Sequence, residues 1–156
     1  TFKSKLMRIW VDADACPKLI KDILFRAAIK REVITNFVAN SWLHLPESNY
    51  INFILVNQGP DIADDKIVED CLTGDLVITA DIPLAVRIVE KGALGLDPRG
   101  KVYDKNNIGG ISDMRDFMSS LRNDGVITGG TNSFSSKDSG KFANALDKLI
   151  VTKDKK

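Results

Sequence analysis

"RIWVDADACPKLIKDILF", residues 8–25, places two aspartates between an apolar run and an amphipathic segment. Residues 8–12 predict a strand, and Pro17 opens a stretch whose apolar residues recur at helical spacing. Asp12 and Asp14 therefore stand at a strand-to-helix junction. If the strand continues, Asp14 lies on the same side as Asp12; if the chain has already turned, Asp14 is a helix cap.

The same strand-to-helix alternation continues along the chain. Residues 33–40, 51–57 and 75–80 are rich in β-formers, and residues 93–103 predict a strand, a DPRG turn and a short second strand. Helices are predicted over 17–30, 60–74, 83–91, 112–125 and 135–151. This order predicts an α/β protein, a three-layer sandwich with a mostly parallel central sheet.

Length and composition indicate one globular domain. The 156 residues, 44% of them hydrophobic, can bury a sizeable core, and we assign residues 7–156 to one domain and residues 1–6 to an upstream extension or cloning remnant. No apolar run approaches the roughly 20 residues of a membrane helix, so we expect a cytoplasmic protein. Two cysteines without a CxxC pair favour neither a disulfide framework nor a zinc site.

In this nearly neutral chain, two aspartates stand at the ends of predicted strands. The net charge is +1, which argues against coating of nucleic acid by bulk electrostatics. Asp12 ends the first strand, and Asp81 follows the strand within residues 75–80. Ligands of open α/β sheets bind outside the carboxyl ends of the strands. If both strands are parallel and central, Asp12 and Asp81 face the same crevice.

A third carboxylate is placed by helical geometry. In the helix over 60–74, Asp64 falls in the middle of the apolar stripe at 100° per residue, whereas Asp61 and Asp65 lie at its edge. An unpaired carboxylate on an inward face is costly, so we expect something to compensate Asp64. Asp61 and Asp65 are expected to be a cap and a surface residue.

Three converging carboxylates predict a site for Mg²⁺ or Mn²⁺, which prefer oxygen ligands. Asp12, Asp64 and Asp81 are the expected metal ligands, with Asp14 assisting in catalysis. Metal-assisted phosphodiester hydrolysis suits this arrangement. For any single aspartate near a helix N-terminus, capping and the helix dipole are sufficient explanations, and only the convergence favours a shared site.

Basic residues in the second half of the chain are candidates for holding a phosphate backbone. Arg99, Arg115 and Lys137 are the predicted substrate-binding residues, each with solvated surface charge as the alternative. Gly129-Gly130 is a weak candidate for an anion-binding nest. Cys16, beside a helix start, has no nearby resolving cysteine or histidine, so a nucleophilic role is not favoured.

The chain resembles the YaiI/YqxD family of uncharacterised bacterial proteins. The motifs that carry the resemblance are "WVDADACP", "DILFRAA", "GDLVITADIPLA", "DPRG", "MRDFM" and "TGG", and they cover nearly all of the chain from Met7. That family is grouped with PIN-domain-like proteins, so the resemblance implies a PIN-like fold. It also implies that Asp12, Asp64 and Asp81 match the acids with which PIN nucleases bind Mg²⁺ or Mn²⁺.

Three functions follow as hypotheses. The first is a ribonuclease-like, Mg²⁺- or Mn²⁺-dependent nuclease with RNA as its partner. The second is a haloacid-dehalogenase-like phosphatase, in which Asp12 attacks phosphate and Asp14 protonates the leaving group, although Cys16-Pro17 starts the helix early for that family. The third is a non-catalytic PIN-like domain that binds RNA or a protein.

Overall fold

A computed structural model describes residues 7–125 and 134–154, and for residues 151–154 it describes the backbone alone. The predicted extension over residues 1–6 and the Gly129-Gly130 pair lie outside the described residues. Across the described ranges, no helix has the length and apolar character needed to cross a membrane.

A six-stranded sheet forms the centre of the described fold, in the order β3-β2-β1-β4-β5-β6. Neighbouring strands are parallel from β3 to β5, and β6 pairs with β5 in the antiparallel direction. The predicted strand-turn-strand over 93–103 is therefore confirmed. The strands are β1 (Ile9–Asp12), β2 (Thr35–Ala39), β3 (Ile51–Leu55), β4 (Leu76–Ile78), β5 (Leu94–Leu96) and β6 (Val102–Tyr103).

Helices cover both faces of this sheet, which confirms the α/β class with a mostly parallel sheet. One core cluster holds Ile20 and Leu24 of the first helix and Phe142 of the last. The other cluster, on the opposite face, holds Ile67 and Leu84 of the second and third helices. The helices are α1 (Lys18–Arg31), α2 (Ile62–Asp70), α3 (Ile82–Glu90), α4 (Ile108–Asn123) and α5 (Ser136–Asp154), and a 3₁₀ turn (Ala13–Ala15) precedes α1.

Helix α4 begins at Ile108, four residues before the predicted cap Ser112. The carboxylate of Asp104 accepts the backbone N–H groups of Asn106 and Asn107, and the Ile108 N–H donates to the Asp104 carbonyl oxygen. These bonds start the helical turn early. Ile108 and Ile111 pack against the core beneath α3, so the helix forms despite the glycines at 109 and 110.

Helix α2 ends at Asp70, whereas the sequence predicted an end at Gly74. The buried carboxylate of Asp75 accepts the backbone N–H of Leu72 at 2.9 Å, which draws the chain out of the helix towards β4. Cys71 is fully buried, in agreement with its predicted place in the core.

Candidate acidic site at the carboxyl edge of the sheet

The first two predicted acids lie at the point where the sheet changes direction. β1 and β4 are adjacent and parallel, and the chain proceeds from β1 outward to β2 and β3 before crossing to β4. Such a switch point opens a crevice at the carboxyl ends of the two strands. Asp12 ends β1, and Asp81 follows β4 by three residues. Both aspartates therefore follow the carboxyl ends of adjacent parallel strands, which is the strand arrangement that the prediction required.

Thr79 links the two strand ends. Its hydroxyl donates a hydrogen bond of 2.9 Å to Oδ2 of Asp12 and accepts the backbone N–H of Asp81 at 3.0 Å. Thr79 is buried, with 2% of its surface exposed, so these are the partners that satisfy its hydroxyl. Thr79 was not predicted to have a role of its own. The signals available were its position directly after β4 and its place two residues before Asp81 in the "GDLVITADIPLA" motif of the family resemblance.

Asp81 is the N-cap of α3. Its Oδ1 accepts the backbone N–H of Leu84 at 3.0 Å, and its backbone is extended as a cap requires. Pro83 in the first turn is compatible with this start because the missing N–H has no partner inside the helix. One carboxylate oxygen of Asp81 thus stabilises the helix, and the other is not used by the cap.

Asp64 stands in the first turn of α2, partly buried and facing the other acids. The pKa of its carboxyl is raised to about 6, mainly by burial and in addition by the negative charges of Asp81, Asp12 and Asp61, against the lowering effect of Arg87. Asp64 lines the same cavity as Asp81. At neutral pH the crevice therefore holds a carboxylate whose charge is disfavoured.

The pKa of the Asp12 carboxyl is also raised by its surroundings. Burial raises the pKa of its carboxyl, the Thr79 hydrogen bond lowers it, and the charges of Asp81 and Asp14 raise it. Because Trp10 packs on the α2–α3 side and side chains alternate along a strand, Asp12 also points to that side. The charge of Asp81 thus raises the pKa of both Asp12 and Asp64, and the charge of Asp12 also raises that of Asp64.

Asp14 is neither part of a continuing strand nor a helix cap. The strand ends at Asp12, and the chain turns into the 3₁₀ helix that contains Asp14. Its Oδ2 accepts the backbone N–H of Asn40 at 2.8 Å, which joins the end of β1 to the end of β2. Asp14 is exposed and acts on Asp12 through its charge. A direct catalytic role for Asp14 stays a prediction.

A cavity of about 610 Å³ opens beside these acids. Asp61, Asp64 and Asp81 contribute carboxylates to its wall, and Arg87 and Arg115 contribute guanidinium groups. Both acidic and basic groups therefore face the same space. The described lining also includes Ala80, Ile82, Pro83 and Leu84, whereas Asp12 is not part of it.

The basic residues predicted to bind substrate are separated by the fold. Arg115 reaches the acidic cavity, where it forms an exposed ion pair of 3.3 Å with Asp116. Arg99 lies in the β5–β6 turn and pairs with Asp138 of α5 at 3.0 Å, and Lys137 is exposed in the first turn of α5. Neither belongs to the described lining of the cavity. Their substrate-binding role stays a prediction.

Arg87 is the basic residue that the sequence analysis missed. It lies in the last turn of α3, lines the acidic cavity and pairs with the exposed Asp65 of α2 at 2.9 Å. Its position six residues after Asp81, within a predicted helix, offered no distinctive sequence signal. Arg87 also lowers the pKa of Asp64, which couples the basic wall of the cavity to the acidic one.

The donor chemistry of Asp12, Asp64 and Asp81 fits a hard divalent cation, because all three supply carboxylate oxygens and a cation would relieve their repulsion. Within the described parts of the chain, no group of three or more histidine, cysteine, aspartate or glutamate side chains is arranged so that it could hold a metal ion. Metal binding at Asp12, Asp64 and Asp81 therefore stays a proposal.

Cys16 does not contribute a reactive thiolate to the site. Burial raises the pKa of its thiol to about 12, with a lowering effect from Lys21 and a raising effect from Asp12. A thiol with this pKa remains protonated at neutral pH, and the thiolate is the nucleophilic form. This agrees with the expectation that Cys16 has no nucleophilic role.

The fold and the site define an α/β protein with an acidic crevice at the switch point of a mostly parallel sheet. Residues 10–152 match the family described as uncharacterized BCR, YaiI/YqxD family, and the chain belongs to that family. A UPF0178 protein of Maridesulfovibrio salexigens is 55% identical over 145 residues, covering 93% of this chain and 96% of that protein. A UPF0178 protein of Shewanella loihica is 51% identical over 145 residues, covering 93% and 97%. No solved structure gives a significant match.

Proposed function

We propose that the protein is a Mg²⁺- or Mn²⁺-dependent nuclease that hydrolyses phosphodiesters of single-stranded RNA in the cytoplasm. The observation that carries this proposal is that Asp64 and Asp81 line one cavity, where the charges of Asp81 and Asp12 raise the pKa of the Asp64 carboxyl. Carboxyl groups with strongly perturbed pKa values cluster at functional sites, so the raised pKa of Asp64 supports a functional role for this cavity. The resemblance to PIN-domain-like proteins supports the same chemistry.

Asp12, Asp64 and Asp81 would hold the divalent cation, which supplies activation of water and stabilisation of charge on phosphate. Thr79 orients the Asp12 carboxylate through its 2.9 Å hydrogen bond. The cap bond fixes the Asp81 carboxylate at the N-terminus of α3. Two of the three acids are therefore positioned by contacts within the protein.

Arg87 and Arg115 would bind the phosphates of the substrate. Both guanidinium groups line the same cavity as Asp64 and Asp81, and arginine binds phosphate through paired N–H donors. Each is paired with one exposed aspartate, Asp65 and Asp116 respectively. Exposed ion pairs of this kind are weak, so a phosphate can replace the aspartate as the partner.

The test is cleavage of an end-labelled single-stranded RNA with Mg²⁺, with Mn²⁺ and with a chelator. We expect cleavage only with a divalent cation, and its loss in Asp12→Asn and Asp81→Asn variants that unfold at the same temperature as the wild type. Asp113→Asn, an exposed aspartate on α4, is the matched control and should cleave normally. Full activity of both site variants would contradict the proposal.

Two other outcomes would favour the alternative functions. Tight RNA binding without turnover or metal dependence would support a non-catalytic binding domain. A fluoride complex trapped on Asp12 as an aspartyl-phosphate mimic would support the phosphatase hypothesis. In that mechanism Asp14 donates a proton to the leaving group, whereas in this fold its carboxylate accepts the Asn40 N–H.

A further inference from the structure

A second cavity, of about 330 Å³, adjoins the acidic one. Ile82 and Arg115 line both cavities, so the two form one continuous groove from the acids along α4. The new part of the groove is bounded by Lys101 at the start of the β6 hairpin strand and by α4. Its α4 side consists of Gly110, Ile111, Met114 and Met118. Apart from Arg115, none of the lining residues was predicted to have a function.

The lining of this second cavity combines cations with apolar surface. Arg115 and Lys101 supply positive charge, and both side chains are exposed. Met114 leaves 58% of its surface exposed on the α4 side, where a buried position would be expected for a residue of this type. Methionine is flexible and polarisable and packs well against aromatic rings. The cations can bind a phosphate, and the apolar surface beside them can pack against a planar ring. These are the two parts of a nucleotide.

We infer that the groove along α4 binds the nucleotide next to the scissile phosphate, with its phosphate at Arg115 and Lys101 and its base against Met114. This inference rests on the proposed nuclease function, and it assigns the direction in which the single strand leaves the acidic cavity. A base must be unstacked to lie on Met114. The groove therefore selects single-stranded over double-stranded RNA.

Two neighbouring glycines of α4 provide a matched test. A Cβ at Gly109 or at Gly110 would meet nothing within 4 Å apart from its chain neighbours and the backbone of its own helix, so we expect both positions to accept a larger side chain. Gly110 lines the groove, whereas Gly109 is not part of its described lining. Both sit within the helix, where leucine has the higher helix propensity. Gly110→Leu therefore fills the groove, and Gly109→Leu changes the helix in the same way without filling it.

The experiment measures the affinity of a fluorescein-labelled single-stranded oligoribonucleotide by anisotropy, in the Asp12→Asn background to prevent cleavage. We expect Gly110→Leu to weaken binding by about tenfold or more, as loss of a base contact does, and Gly109→Leu to bind within about twofold of its parent. Lys101→Gln should lower the slope of log affinity against log salt by about 0.7, the value for one phosphate contact on a single strand.

Equal affinities of the two glycine variants would overturn the proposed nucleotide site in the groove. Failure of the Asp12→Asn parent to bind the oligonucleotide would overturn it as well. Hydrolysis of bis(4-nitrophenyl) phosphate separates this result from the nuclease proposal, because that small diester requires only the acidic cavity. The wild-type chain should hydrolyse it with Mg²⁺ or Mn²⁺, and Gly109→Leu should hydrolyse it at the same rate. If the oligonucleotide binds along α4 but no diester is hydrolysed with any divalent cation, the groove stands and the nuclease proposal fails.

Discussion

The hydroxyl of Thr79 donates a hydrogen bond of 2.9 Å to the carboxylate of Asp12, a residue 67 positions earlier in the chain. The same hydroxyl accepts the backbone N–H of Asp81. One threonine therefore sets the position of the acid that ends β1 and of the segment that carries the acid after β4. The geometry of the acidic site depends on this buried contact between neighbouring strands.

Thr79→Val should raise the pKa of Asp12 further, because the hydrogen bond from Thr79 favours the charged carboxylate. The acid limb of the pH profile of cleavage should then move to higher pH. Valine keeps the shape of threonine but leaves the Asp81 N–H without its acceptor, which we expect to cost about 1 kcal/mol of stability. Carboxyl ¹³C chemical shifts against pH measure the pKa directly.

The control for that substitution is Thr73→Val. Thr73 donates to the Lys91 carbonyl oxygen at 2.8 Å in an exposed position away from the acids. Its replacement should leave the titration of Asp12 unchanged. An unchanged Asp12 titration in Thr79→Val itself would contradict the assigned role of Thr79.

Asp64→Asn should stabilise the protein near pH 7. The pKa of Asp64 is about 6 in the folded state and near 3.8 when unfolded, so the folded state binds more protons between these values. Stability of the wild type therefore falls as pH rises from about 4 to 6, and the asparagine variant lacks this loss. Allowing for solvent screening, we expect a gain of about 1 kcal/mol at pH 7.

Urea unfolding at pH 4 and pH 7 checks this expectation. The two proteins should differ more at pH 7 than at pH 4, and Asp113→Asn should show no such pH dependence. Cleavage of RNA should be lost in Asp64→Asn despite the gain in stability. A variant that is less stable than the wild type at pH 7 would show that Asp64 is not held against the charges of Asp12 and Asp81.

Two substitutions of Asp81 distinguish its role as the N-cap of α3 from its proposed role in catalysis. Asp81→Asn keeps a side-chain oxygen for the Leu84 N–H and should leave stability nearly unchanged, whereas Asp81→Ala loses the cap at a cost of about 1 kcal/mol. Both variants should lose cleavage by about a hundredfold or more, as loss of a charge-stabilising group does. Paired thermal unfolding and RNA cleavage assays measure the two effects. Retained cleavage in Asp81→Asn would leave Asp81 with a capping role alone.

Asp75 is an acid whose role we expect to be structural. It is 1% exposed, and its Oδ2 accepts the Trp10 indole N–H at 3.0 Å and the Leu72 N–H at 2.9 Å. In Asp75→Asn one carboxylate oxygen is replaced by an NH₂ group, which cannot accept a hydrogen bond. We expect this to lower the free energy of unfolding by about 2 kcal/mol. Asp70→Asn breaks only a surface pair with Lys66 and should cost less than about 1 kcal/mol.

Urea unfolding distinguishes the two substitutions, and RNA cleavage at a temperature where both are folded should be normal. Asp75 precedes β4 at the end opposite to Asp81, so its removal does not alter the acidic crevice directly. Loss of cleavage in a folded Asp75→Asn protein would contradict this assignment.

Much of the site followed from the sequence because local rules placed its acids. Strand ends located Asp12 and Asp81, and helical periodicity located Asp64 on the inward face. The contact between Thr79 and Asp12 and the bond from Asn40 to Asp14 could not be predicted, since they join residues that only the strand order brings together. The early start of α4 was missed because two glycines weaken helix propensity, and packing of Ile108 and Ile111 outweighs them.

The most direct test of the acidic site is a crystal structure of the protein soaked in MnCl₂, with the ion located by anomalous scattering. We predict Mn²⁺ between Asp12, Asp64 and Asp81, with carboxylate oxygens at about 2.0–2.2 Å from the ion. Absence of Mn²⁺ from these carboxylates at a concentration that saturates binding in solution, or an ion bound only elsewhere, would contradict it.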